Sequence, residues 1–160
     1  MEFRERLNKA VERGRRRADV RAEAEARREL SEQELGRLHS NLRLELSEHI
    51  EHCLRQLGDQ FPGFQMETVF GEKGWGAAIS RDNIRMRRGQ RANLFSRLEM
   101  IIRPPNEYHV LELVAKATIH NREVFNRSYF ERLDEVDATS FRERVDIWAL
   151  EYAKIFAARG

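Results

Sequence analysis

Apolar positions along the chain follow three successive periodicities. Leu35, Leu38, Leu42, Leu46, Ile50, Cys53 and Leu57 recur at spacings of three and four, which predicts a helix over 35–58 with one apolar stripe. After Gly58 and the Phe61-Pro62-Gly63 break the period drops to two. That alternation predicts strands over 64–70, 75–81, 94–103, 108–119 and 123–130, with a short extra one over 84–87. Helical spacing returns with Phe141, Val145, Trp148, Tyr152, Ile155 and Phe156, giving a helix over 138–158. Ser140 stands at capping-box distance from Glu143, and Asp137 is a rival cap.

Two turns organise the strands. Pro104-Pro105-Asn106 separates two long alternating runs, and the pair Asn121-Arg122 suits a tight hairpin. Strands joined in this way pair most simply with their chain neighbours, so the sheet reads as an antiparallel meander of four or five strands over 64–130. The C-terminal helix is expected to pack on it.

Ahead of the stripe, residues 1–34 contain no proline and are rich in Ala, Glu and Arg, which favours helix. The stretch RRRADVRAEAEARRE offers only Val20 and alanines as apolar content, too little to hold it in a core. Phe3, Leu7 and Val11 form a short apolar face before it, and Gly14 is a point where the helix can bend. The expected organisation is a charged helical arm over 1–34 and a single α+β domain over 35–160, the N-terminal part being one long helix or two.

Strand parity sharpens the picture. Leu94, Leu98, Met100, Ile102, Leu111, Leu113, Ala115, Ala117 and Ile119 share one side, the expected core face. The opposite side carries Phe95, Arg97, Tyr108, Glu112 and Lys116, joined by Phe125, Arg127 and Tyr129. It is too apolar for a plain solvated face and too charged for a core, so these residues are read as a contact face. Leu44, Leu54, Ile147 and Leu150 lie off the helical stripes and add surplus apolar surface.

Composition fits a domain of this size with a real core: 160 residues, 41% hydrophobic. Charge alters the picture only locally. Lys and Arg number 29 against 27 Asp and Glu, a formal charge of +2. The excess lies in the first half of the sheet, where Arg81, Arg85, Arg87, Arg88 and Arg91 cluster as candidate contacts for an anion or nucleic acid. Charged tips also keep sheet edges from pairing with other chains, and no aromatic residue interleaves these arginines to stack on bases. The charged N-terminus and the absence of a long apolar run predict a cytoplasmic protein with no membrane span.

Candidate chemistry is sparse. The glycines of GEKGWGAA run into a strand rather than a helix, which excludes a phosphate loop and points to close backbone approach around Trp75. His49, His52 and Cys53 are metal-ligand types within one helical turn, but His52 diverges from the stripe and no partner cluster is visible. They are read as packed side chains, with no metal and no cofactor expected. His39 is read in the same way. His109 and His120 lack a nucleophile at motif spacing, and Glu99 and Glu112 have Arg97 and Lys116 beside them to neutralise them. No catalytic motif emerges.

The run GWGAAISRDN, followed by NLFSRLEMIIRPPNEYHVLELVAKATIHNREVFNR and by VDIWALEYA in the last helix, resembles an uncharacterised group of planctomycete bacterial proteins. The resemblance spans about residues 70–157 and implies a bacterial cytosolic setting with no assigned activity. Together these readings predict a non-enzymatic protein-interaction module that self-associates, most simply as a homodimer, through its helices, its second sheet face or both. Nucleic-acid or anion binding through 81–91 is the alternative. A small-ligand carrier or enzyme with a pocket between helix and sheet is a third.

Overall fold

The computed structural model describes residues 2–159. The elements in order are α1 (Phe3–Gln60), β1 (Gln65–Val69), β2 (Trp75–Arg87), β3 (Gln90–Ile102), β4 (Val110–Ile119), β5 (Arg122–Arg132), a short 3-10 turn (Leu133–Glu135) and α2 (Ala138–Arg159). The fold is α+β. Among the described residues no helix is long and apolar enough to cross a membrane.

The chain divides into two compact units, Met1–Arg37 and Leu38–Gly160. The first is helical from Phe3 onward, and α1 runs unbroken through Gly14 and Gly36. Phe3, Leu7, Val11 and Val20 are exposed there. The i,i+4 pair Glu23–Arg27, at 3.7 Å and fully accessible, adds little beyond helix propensity.

In the second unit the five strands form one antiparallel sheet in the order β1-β2-β3-β4-β5, each paired with its neighbour in sequence. Residues 84–87 are the end of β2 rather than a separate strand, because Arg88 and Gly89 adopt positive φ (52° and 76°) and close a two-residue turn with Arg87 opposite Gln90. The β4–β5 turn falls on His120 and Asn121 (φ 49° and 70°), one residue earlier than expected. Asn121 fixes this turn by bonding both ways to β3: its side-chain oxygen accepts from Phe95 N at 2.9 Å and its amide donates to Asn93 O at 2.8 Å. Tyr108 and His109 precede β4 instead of belonging to it, since the chain is still turning at His109 (φ 51°).

One sheet face is covered by both helices. Residues Leu42, Leu46, Ile50, Leu54 and Leu57 of α1 are buried, as are Phe141, Val145, Trp148, Ala149, Tyr152 and Phe156 of α2. They lie over Ala77, Ile79, Leu98, Met100, Ile102, Leu111, Leu113, Ala115, Ala117 and Ile119, all on the same side of the register. Leu54, expected off the stripe, is fully buried, whereas Cys53 is only half-buried and Leu38 is exposed. The buried row advances by four residues at a time from Leu42 to Leu54, and Cys53 is left on the flank facing α2. Tyr152 donates its hydroxyl to Thr118 O at 2.9 Å, satisfying a strand carbonyl beneath the helix. Asp137 caps α2 by accepting from Thr139 N at 3.0 Å, so the rival cap is the one used.

Glycine is required where β2 begins. A Cβ on Gly76 would lie 2.0 Å from Met100 O, and one on Gly74 (φ 139°) would lie 2.3 Å from Ile102 O. The close approach expected around Trp75 is therefore built into the β2–β3 pairing. The half-buried Trp75 ring carries the Arg43 guanidinium 4.2 Å from its centroid.

His39 ties α1 to the far end of β3, its Nε2 donating to Arg103 O at 3.1 Å. Burial holds its pKa below the ordinary 6.5 despite the pull of that carbonyl, and Arg43 lowers it further. The unfolded chain then takes up the proton first, so this contribution to stability is complete above about pH 6.5 and is lost as the pH falls below it. We expect urea midpoints to drop between about pH 7.5 and pH 5.5, and His39→Gln, which keeps a donor without the titration, to flatten that dependence. Trp148→Ala, at a buried position, should cost about 3–5 kcal/mol on the same assay.

Candidate functional site

Helical periodicity sets His49 and Cys53 one turn apart on α1, and α2 brings Asp146 against them. His49 Nε2 lies 2.8 Å from Asp146 Oδ1, Cys53 Sγ donates to the same oxygen at 3.3 Å, and Sγ lies 3.5 Å from His49 Nε2. One turn earlier on each helix, Glu45 and Arg142 form an ion pair that also links the two helices. Burial, with the adjacent Asp146 as acceptor and charge, pushes the Cys53 thiol up to about 12. The sulfur is thus a protonated donor rather than a nucleophile at neutral pH.

The cluster forms part of the wall of an open cleft of about 740 Å³ between α1 and α2, also lined by His52, Gln56, Leu57, Asp59, Ala149 and Leu150. This cleft lies between two helices. His49 and Cys53 converge on a partner that the sequence reading did not find, while His52 diverges and is exposed on the cleft lining. Asp146 escaped the sequence reading. Its signal is its position beside Val145 and Ala149, at the edge of the α2 stripe that faces α1.

The second sheet face is a separate surface. Among the described residues, neither helical segment of the Leu38–Gly160 unit packs over it. Ala78 and Ile101 are nevertheless buried there, Val69, Val110 and Val114 are half-buried, and Phe95 and Phe130 are 36% and 62% exposed. Charges form a ladder across it: Arg97 bonds Glu67 at 2.7 Å and Glu99 at 2.9 Å, and Arg103 lies 3.8 Å from Glu112. Glu99 stands opposite Lys116 rather than Glu112.

Three expected members of this face lie on the other one. A β-bulge at Ala117/Thr118 leaves Val124 without a partner and pairs Ala117 with Phe125, Ala115 with Arg127 and Leu113 with Tyr129. One extra residue reverses the direction of every later side chain. Phe125 is consequently buried, Arg127 bonds Glu151 of α2 with Nη2–Oε1 at 2.9 Å, and Tyr129 packs edge-on against Phe141 with ring centroids 5.0 Å apart. Tyr108, exposed in the loop before β4, is outside the sheet. Phe95, Arg97, Glu112 and Lys116 remain.

The basic segment splits into two parts. Arg81 folds back over the helix-covered side, its guanidinium 5.5 Å from the Phe156 ring and 6.0 Å from Phe64, so aromatic rings do accompany it. Arg85, Arg87, Arg88 and Arg91 are exposed on the ribbon formed by β2 and β3 beyond the end of β4. Protein-family models, curated proteins and solved structures yield no match to the chain.

The pKa of His120, at the base of the ribbon, is held below 6.5 by burial and then by Arg85, Arg81 and Arg159. Arg85→Gln or Arg81→Gln should raise it, and added salt should act in the same direction by screening. Titration of the imidazole by NMR reads the effect; a value insensitive to both changes would mean that the arginines do not gather there.

Proposed function

We propose that the chain is a protein-interaction module that pairs with a second copy of itself through the bare face of its sheet. The observation that carries this reading is the absence of any helix of the Leu38–Gly160 unit on a face that nonetheless holds Ile101, Val114, Phe95 and Phe130. The charge pattern favours a like partner. Glu67, Glu99 and Glu112 alternate with Arg97, Arg103 and Lys116, so the face carries both signs, as a self-complementary surface can, whereas a surface for a polyanion would be of one sign. Two-fold pairing is also the commonest way for a small domain to cover such a face.

A second reading rests on the ribbon. Two strands extending past the sheet with Arg85, Arg87, Arg88 and Arg91 around their turn suit the backbone or groove of a nucleic acid. Exposed Ile84 and Met86 on the same ribbon add apolar contact.

Light scattering and sedimentation on the full chain should give a dimer at micromolar concentration. Phe130→Glu combined with Val114→Lys, both on the bare face, should yield a folded monomer, and deletion of residues 1–30 should leave the dimer intact. A monomeric wild type, or a dimer indifferent to the double substitution, would refute pairing through this face. For the ribbon, RNA and DNA binding that Arg87→Glu with Arg88→Glu abolishes, and that weakens steeply with salt, would support the second reading.

A further inference from the structure

We propose that His49, Cys53 and Asp146 form a binding site for a divalent transition-metal cation of the zinc class. The argument begins with donor type. Imidazole, thiolate and carboxylate from three side chains are the set that zinc takes when one coordination position is left open, and a sulfur ligand selects against magnesium and calcium. Hydrogen bonding alone does not require this combination.

Spacing supports the assignment. The three donor atoms lie within 4.8 Å of one another. Around a four-coordinate zinc with bonds of about 2.0–2.3 Å, adjacent ligand atoms stand about 3.3–3.6 Å apart. The Cys53–His49 and Cys53–Asp146 separations, 3.5 and 3.3 Å, already match, and only the 2.8 Å His49–Asp146 contact must open, by about half an ångström.

Position and charge agree. His49 and Cys53 sit at i and i+4 on one helix face, a separation that aims two ligands at one point, and the third comes from the facing helix. The Glu45–Arg142 pair one turn away also joins the two helices. Once the cation displaces the thiol proton to solvent, thiolate and carboxylate together neutralise its two charges. The fourth position opens into the 740 Å³ cleft, where the small side chains of Ala149 and Ala153 leave room for water or a ligand. His52 lines that cleft without being part of the cluster.

The test uses the full chain, stripped with a chelator and titrated with Co²⁺ alone. One ion should bind per chain, with a thiolate-to-cobalt charge-transfer band and the visible absorption of tetrahedral cobalt, and Zn²⁺ should displace it. Loss of an outer-shell partner typically costs about 10–100-fold in affinity, so Cys53→Ser and Asp146→Asn should each cost at least about ten-fold, with the band absent in Cys53→Ser. His52→Ala should bind as the wild type does. Cys53 is the only cysteine, so the band reports on this site alone. A folded wild type that shows no such band with excess Co²⁺ overturns the proposal whether or not the variants fold, as does affinity retained in both ligand variants.

Discussion

Burial of a single sheet face beneath two helices is the constraint from which the rest of the structure follows. The meander presents two faces, and the Leu38–Gly160 unit has two helical segments; both lie on the same side, side by side. Hydrophobic burial is concentrated there, with Tyr152, Phe141, Leu46, Ile50 and Leu54 fully buried against Leu98, Met100, Leu111 and Leu113. Two features follow. The helices touch each other, creating the cleft and bringing Asp146 to His49 and Cys53. Among the described residues of that unit, the opposite face is left without a helical cover.

The close approach of β2 to β3 supports this arrangement from below. Gly74 and Gly76 allow strand carbonyls to stand where a side chain would otherwise be, so the sheet is tight at the end where Trp75 and Arg43 meet. At the other end β2 and β3 stay paired beyond the end of β4 as the ribbon, buttressed by Asn121 through Asn93 and Phe95. A firm end near the helices and a projecting, arginine-bearing end thus belong to the same pair of strands.

Much of this architecture is legible in the sequence because each periodicity is strong. The alternation through β3 and β4 marks the core face correctly from Leu98 to Ile119, and the α2 stripe from Phe141 to Phe156 is buried as its spacing implies. Elsewhere the physical cause leaves no local trace. The bulge that turns Phe125, Arg127 and Tyr129 toward α2 contains no glycine or proline; it is selected by how those side chains pack, and parity counted along β5 therefore comes out reversed. The metal-ligand types on α1 are visible, but Asp146 lies 93 residues beyond Cys53 and meets it only because both helices choose one face. The arginine–aromatic contacts of Arg81 with Phe64 and Phe156 are equally non-local.

The placement of both helices on one face is therefore the claim to test first, and nuclear Overhauser contacts measured within a single chain do so most directly, with labelled and unlabelled protein mixed to remove intermolecular signals. The account predicts cross-peaks between the Tyr129 and Phe141 rings, 5.0 Å apart, and between Tyr152 and the β4 backbone at Thr118, with none from Phe130 or Val114 to α2 or to residues 38–60 of α1. Intramolecular contacts from Phe130 or Val114 to either of those helical segments would contradict it.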